Sequence, residues 1–264
     1  MTARRDSNRY PFATALVTGA SSGIGEVLAA SLASAGVRVV VVARRADRLE
    51  RFAERHPGTE VGAADPQDSD DLDRVAERIG DPRRPVDLVV NNAGFGTSGP
   101  FVDLDAERLA DEIGLNVGGL TRLSHAALAA MVPRRRGWLL NVSSIAGFQP
   151  APRLAVYAAT KAYVTSLTES LHQEVAYAGV HVTALCPGLT RTEFQSVSNT
   201  TSYVDRFPAF AWTSPDLVAR TGLEAVIANR AIAVPGPQYR MLTGVANVTP
   251  RWIRRRVSSL VQRS

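Results

Sequence analysis

Thr18-Gly19-Ala20-Ser21-Ser22-Gly23-Ile24-Gly25 joins an apolar run, Phe12 to Thr18, to an alanine-rich stretch, Ile24 to Ala35. The run reads as a buried strand and the stretch as a helix that stops at Gly36. Gly19 suits the tight turn between them, and Gly23 and Gly25 let backbone and helix approach closely. The free N–H groups at the start of such a helix, with the helix dipole, favour an anion such as a pyrophosphate over Ser21, Ser22 and Ile24. The spacing is Gly-x-x-x-Gly-x-Gly, and a ligand-free glycine turn can share it. Its place after the first strand of an alternating pattern is what favours binding.

The alternation continues along the chain. Val37 to Ala43 is a β-branched run with almost no polar interruption, as in a strand covered on both faces. Arg48 to Arg55 reads as a helix, Glu60 to Ala64 as a short strand, Leu72 to Ile79 as a helix and Val86 to Val90 as a strand. Ala106 to Val132 is a long helical stretch with a break near Gly118-Gly119. Trp138 to Val142 is a strand, Ala155 to Ala178 a long helix and Val180 to Leu185 a strand. Asp216 to Ala228 is a helix, with Ser214 as N-cap and Pro215 in its first turn. This order predicts an α/β fold: a doubly wound, Rossmann-type parallel sheet with helices on both faces. One domain, residues 12–230, follows a polar segment 1–11 and precedes an extension 231–264.

Of the 264 residues, 45% are hydrophobic and 21% charged, which suits a folded soluble chain. No stretch approaches the ~20 apolar residues of a membrane span. Met1 to Tyr10 lacks the apolar core of a signal peptide, so the expected location is the cytoplasm. Cys186 is the single cysteine, which excludes an intrachain disulfide and a cysteine metal cluster. The four histidines are scattered, and no metal is expected.

The net charge is +5, yet no acidic residue follows Glu224 while seven arginines do. Removing those seven from the +5 leaves −2 for the body, so the charge is a property of the tail and does not point to nucleic acid. In the tail, Ile253, Val257, Leu260 and Val261 fall at helical spacing among Arg254, Arg255, Arg256 and Arg263. Such a basic helix can touch a membrane surface or an acidic carrier. Packing on the body or a second subunit is the favoured reading.

Lys161 is the one lysine among thirty basic residues, and it stands four residues after Tyr157. On a helix this spacing puts both side chains on one face. An ammonium beside a phenol lowers the phenol's pKa and lets it exchange a proton near neutrality. An isolated Tyr-x-x-x-Lys is more often a surface pair, so the weight rests on the company it keeps.

That company is an ordered set: Thr18–Gly25, Asn91-Asn92-Ala93-Gly94, Asn116, Ser144, Tyr157/Lys161 and Pro187-Gly188. In this order the chain resembles the short-chain dehydrogenase/reductase family, in its classical branch, over roughly residues 12–230. The resemblance implies hydride transfer with a nicotinamide cofactor. It implies Tyr157 as proton donor or acceptor, and Lys161 holding the nicotinamide ribose as well as tuning the phenol. Ser144 would hold the substrate oxygen, and Asn116 would anchor a water that leads protons to the lysine. Asp65 resembles the residue that meets the adenine, although it can equally cap the turn before Pro66. Asn91, Ala93 and Gly94 resemble the turn beside the adenosine ribose. In the loop after Pro187 and Gly188, a threonine would bond the carboxamide or pyrophosphate, with Thr190 and Thr192 as candidates.

The end of the second strand bears on the choice of cofactor. Ala43-Arg44-Arg45 offers no acid for the ribose hydroxyls of NAD, and arginine suits a 2′-phosphate. The expected cofactor is NADP(H), with Arg44 as main contact and Arg45 as a weaker one. The resemblance implies a substrate lid at about residues 190–215, where Phe194, Tyr203, Phe207, Phe210 and Trp212 suit an apolar carbonyl substrate or equally pack the lid on the body. The expected activity is NADPH-dependent reduction of a lipophilic ketone, 3-oxoacyl thioester-like, by a homodimer or homotetramer. Alternatives are an alcohol or hydroxysteroid dehydrogenase working oxidatively, and a non-catalytic NADP-binding regulatory protein.

Overall fold

Adjacent residues of the second strand enter different cores. Val39, Val41 and Ala43 pack in one apolar cluster, while Val40 and Val42 pack in another. In β1 (Thr14–Thr18) Ala15 and Val17 join the first cluster and Leu16 the second. A strand sealed on both faces has no polar side to write, which is why these strands appear as continuous apolar runs. The protein is described here by a computed structural model. It covers residues 10–65, 67–200 and 207–248, with the backbone alone for 244–248. Most of segment 1–11, Tyr203 and the amphipathic pattern from Ile253 to Arg263 lie outside the described residues.

Seven strands form one parallel sheet in the order β3-β2-β1-β4-β5-β6-β7. After β1 come β2 (Arg38–Ala43), β3 (Glu60–Ala63), β4 (Leu88–Asn91), β5 (Gly137–Val142), β6 (Val180–Leu185) and β7 (Ile232–Ala233). The first cluster is closed by α1 (Gly23–Ser34), α2 (Ala46–Arg55) and α8 (Pro215–Ile227). The second is closed by α3 (Ser69–Gly80) and α5 (Leu120–Arg134). Strand order reverses between β1 and β4, the switch point at which such sheets open a crevice. The caps follow the sequence: the Ser214 hydroxyl accepts from the Leu217 amide, with Pro215 in the first turn of α8.

Three expectations change. The stretch from Ala106 does not break at Gly118-Gly119. It runs as α4 (Ala106–Ile113), a π-helical turn (Gly114–Gly119) and α5. Glycines at 114, 118 and 119 put no Cβ in the way of the wider turn. The helix from Ala155, α6 (Ala155–Glu174), ends early and passes through a 3-10 turn to Gly179 in a left-handed conformation. The sheet also continues past residue 230: Ile232 and Ala233 pair with Ala184 and Leu185, and α9 (Pro237–Val248) follows.

One charge is buried in this frame without a bond. Glu112, in the last turn of α4, is 0% exposed, and neither carboxyl oxygen has a hydrogen-bond partner among the described residues. The Thr97 side chain and amide face it without meeting hydrogen-bond geometry. Burial pushes the carboxyl up to about 7 from its ordinary 4.5, against the pull of Thr97, Lys161 and Arg108. The folded chain then keeps a proton that the unfolded chain has lost. Stability falls as pH rises from about 4.5 to about 7 and is level above. Glu112→Gln removes this dependence. Its stability relative to the parent should rise by about 2–3 kcal/mol between pH 5 and pH 8 in urea titrations. An equal difference at the two pH values would show that this carboxyl does not titrate in that range.

Candidate active site

The C-terminal ends of the strands open into a cavity of about 930 Å³. Its floor is the glycine turn. Gly19 has φ +66°, and a Cβ there would lie 2.7 Å from the Asn92 amide nitrogen. α1 starts at Gly23 with no side-chain cap on its first amides, because the Ser22 hydroxyl accepts from Arg45 instead. Uncapped amides at a helix start, two serine hydroxyls and an arginine form a donor set that fits a phosphate. Ser21, Ser22, Gly23 and Ile24 line the cavity. Gly25 does not: it lies against the Gly19 carbonyl, where any side chain would collide.

The two arginines after β2 divide differently from expectation. Arg44 borders the cavity but is 61% exposed, and among the described residues its ion pair is with Asp65 at 3.8 Å. Arg45 folds over the phosphate turn: its Nη2 donates to Ser22 Oγ at 2.8 Å and Ser21 Oγ at 3.0 Å. Its Nη1 donates to Glu193 at 2.8 Å. Arg45 is thus the arginine placed on the turn, since α2 begins at the next residue and turns its side chain back toward α1. Asp65 borders the cavity, and its carboxylate also accepts from the Gln67 amide, the turn-capping alternative.

The Asn91-Asn92-Ala93-Gly94 turn splits by parity. Asn91 faces away from the cavity, and its amide donates to Asn141 Oδ1 at 3.0 Å and Ser124 Oγ at 3.1 Å. Its place is therefore under the sheet, not on a ligand. Asn92 is the residue that reaches the glycine turn, donating to the Thr18 carbonyl at 2.9 Å. The Thr18 hydroxyl accepts from the Asn92 and Ala93 amides at 3.0 Å each. Ala93 and Gly94 line the cavity.

Asn116 sits in the π-helical turn, fully buried. Its carboxamide grips Phe95, donating to the carbonyl at 2.8 Å and accepting from the amide at 3.2 Å, and it donates to Thr160 at 3.2 Å. A Cβ on Gly94 would lie 2.7 Å from Asn116 Oδ1 and 3.5 Å from Lys161 Nζ, so both groups converge on that backbone.

Ser144, Tyr157 and Lys161 share one wall. Ser143 is turned into α6, where its hydroxyl donates to the Lys161 carbonyl at 2.8 Å. Ser144 is left on the cavity, facing the Tyr157 hydroxyl. Lys161 is 4% exposed and donates to the Val142 carbonyl at 2.9 Å, with Nζ 5.7 Å from the Tyr157 ring centroid. The expected lowering of the phenol is not what the fold produces. Burial pushes Tyr157 up to about 12, with Ser144 pulling it down and Glu112 pushing it further up. Burial also brings Lys161 down to about 8, against the fields of Cys186 and Glu112. Cys186 is fully buried and its thiol is pushed up to about 12 by burial, which makes it a core residue rather than a nucleophile.

Over the wall runs the segment after Pro187. Thr190 bonds Thr213 at 3.2 Å and the Gly188 carbonyl at 3.1 Å, which ties the base of the loop. Thr192 lies over the glycine turn, its Cβ 3.1 Å from where a Cβ of Gly23 would stand. Phe194 opens the short helix α7 (Phe194–Val197) and packs on Tyr157 at 5.4 Å. Phe207 and Phe210 also line the cavity, whereas Trp212 pairs with Arg191. Sequence reasoning missed Tyr239. Its ring fills the space that a side chain at Gly188 would need, and its hydroxyl bonds the Leu189 amide and the Ala211 carbonyl. The sequence held two signals for it: a glycine at 188 with no turn to demand it, and an apolar stretch, Tyr239 to Val245, able to dock.

No helix among the described residues is long and apolar enough to cross a membrane, and none of their His, Cys, Asp or Glu side chains cluster as a metal site.

A family model described as short chain dehydrogenase matches residues 13–202. An uncharacterized oxidoreductase of Staphylococcus epidermidis is 36% identical over 179 residues, covering 67% of this chain and 78% of that protein. A short-chain dehydrogenase from Sphingobium yanoikuyae, solved in complex with NADPH, superposes with a TM-score of 0.81 at 32% identity, over 89% of this chain and 93% of that one. A bulky-bulky ketone specific alcohol dehydrogenase from Comamonas testosteroni gives a TM-score of 0.74 at 29% identity, over 90% and 95% of the two chains. With its seven-stranded parallel sheet and this match over most of its length, the chain belongs to the short-chain dehydrogenase family of oxidoreductases.

Proposed function

We propose that this protein is an NADPH-dependent reductase of lipophilic ketones. The observation that carries the reading is the convergence of Ser144, Tyr157 and Lys161 on one wall of a cavity whose floor is a phosphate-type glycine turn. Ser21, Ser22, the first amides of α1 and Arg45 would hold the phosphates, and Thr192 and Lys161 would border the nicotinamide half. When bound, the cofactor supplies the hydride that adds to the carbonyl carbon. Ser144 holds the carbonyl oxygen, and Tyr157 gives that oxygen its proton, so that the product is a secondary alcohol. At neutral pH a Lys161 titrating near 8 is mostly protonated, and its charge favours the phenolate that remains. Asn116 fixes the Phe95 turn, which holds Gly94 against the lysine.

The preference for NADPH rests on the acid-free end of β2 and the lie of Arg45. The NADPH complex of the Sphingobium relative agrees with it. A lipophilic substrate is suggested by Phe194, Phe207 and Phe210 on the cavity, and the Comamonas relative is named for bulky ketones. A 3-oxoacyl thioester is the first substrate to try.

Tyr157→Phe should lower NADPH-dependent ketone reduction by about 10²-fold or more and leave NADPH affinity within about three-fold. Turnover near the parent's would show that the proton comes from elsewhere. The cofactor reading is checked by dissociation constants for NADPH and NADH. The parent should favour NADPH, and Arg45→Ala should shrink the ratio by about ten-fold, more than Arg44→Ala does. A parent that binds both equally would remove the NADPH assignment.

A further inference from the structure

Two arginines at the start of α2, Arg45 and Arg48, hold an anion of the protein's own. Glu193 receives Arg45 Nη1 on Oε2 at 2.8 Å and Arg48 Nη1 on Oε1 at 2.6 Å. Arg45 spends its remaining nitrogens on the phosphate turn, with Nε on Ser21 at 3.2 Å and Nη2 on Ser21 and Ser22. One guanidinium therefore bridges the turn to a carboxylate 148 residues away along the chain. A carboxylate and a phosphate take the same fork-like donation from arginine.

We propose that Glu193 is a specificity-determining internal competitor: its carboxylate occupies the Arg45–Arg48 anion site, and the 2′-phosphate of the cofactor must displace it to bind. This rests on the NADPH reading above. Three features support it. Arg45 and Arg48 come from the start of α2 and Glu193 from the segment that leads into α7, and Arg45 and Glu193 both line the cavity. Glu193 stands between Thr192, which lies over Gly23, and Phe194, which packs on Tyr157. Moving Glu193 therefore moves the residues on either side of it. The carboxyl is also held at about 2, chiefly by the bonds from Arg45 and Arg48, so it is an anion at every working pH. The exchange is anion for anion and needs no protonation. All three side chains are more than a third exposed, so the competition is worth a few-fold in affinity, not orders of magnitude.

The test uses 2′,5′-ADP and 5′-AMP, which differ by the 2′-phosphate, and calorimetry on the whole chain. Glu193→Gln should bind 2′,5′-ADP about three- to ten-fold more tightly than the parent, and 5′-AMP within two-fold of it. Glu193→Ala should do the same, and its 5′-AMP affinity reports that the site is still folded. In the parent, 2′,5′-ADP but not 5′-AMP should speed amide exchange across residues 193–200. If the parent prefers 2′,5′-ADP and neither variant increases that preference, the competitor role is overturned while the NADPH reading stands. If neither the parent nor either variant prefers 2′,5′-ADP, the NADPH reading falls and the competitor role falls with it.

Discussion

A sheet sealed on both faces leaves chemistry one place to go. The interiors of β1, β2, β4 and β5 are committed to two apolar cores, so no polar group can project from them without a buried partner. Only the strand ends are open. In a parallel sheet, the C-terminal ends of neighbouring strands all lie on one edge. That is why Gly19, Gly94, Ser144 and Pro187, which follow four different strands, meet at one cavity. The site is a consequence of the layering rather than an addition to it.

Just beneath the edge lies a layer of polar groups that do turn inward, and nearly all are bonded. Asn91 bonds Asn141, which donates to Thr168 on α6 at 3.0 Å. Ser143 bonds the Lys161 carbonyl and Thr165, again on α6. These bonds lock α6 to β4 and β5. They set where Tyr157 and Lys161 stand relative to Ser144, because each missing partner would leave a buried polar group unsatisfied. Glu112 departs from this rule, as do the Asn91 side-chain oxygen and the Thr97 hydroxyl among the described residues. Glu112 lies in the turn of α4 before Asn116, across from Lys161, and it reaches both Tyr157 and Lys161 through its field.

The sequence made the layering legible because sealing leaves a mark in it: unbroken apolar runs, glycines where backbones touch, and a lysine where no other stands. What it hid was parity and distance. Asn91 and Asn92 are neighbours with opposite destinations, and the register of Asn91 opposite Asn141 decides which is which. Arg44 and Arg45 differ because α2 begins at Ala46, a boundary too fine for periodicity to locate. The glycines of the π-helical turn read as a break, because a glycine pair does not distinguish a wider turn from an interruption. β7 is two residues long and writes no pattern at all. The Glu193 contact joins segments far apart in the chain, and nothing local to either one announces it. Of the serine pair, the family resemblance named Ser144, and in the structure the Ser143 hydroxyl is committed to α6.

The tyrosine and lysine show how a correct pairing can carry an incomplete electrostatic argument. An ammonium near a phenol attracts the phenolate, but the lysine is buried and the phenol half-buried, so both lose water. Desolvation disfavours charge on each, so the phenol rises to about 12 while the ammonium falls to about 8. At 5.7 Å from the ring, and bonded to the Val142 carbonyl, the lysine does not reverse this. For the proposed reduction this is the useful direction, because a phenol at 12 holds its proton until a developing alkoxide takes it. It also explains why charge alone does not describe the lysine. Its ammonium fits between the Val142 carbonyl and the Gly94 backbone, where a guanidinium's planar fork would have to displace one of them.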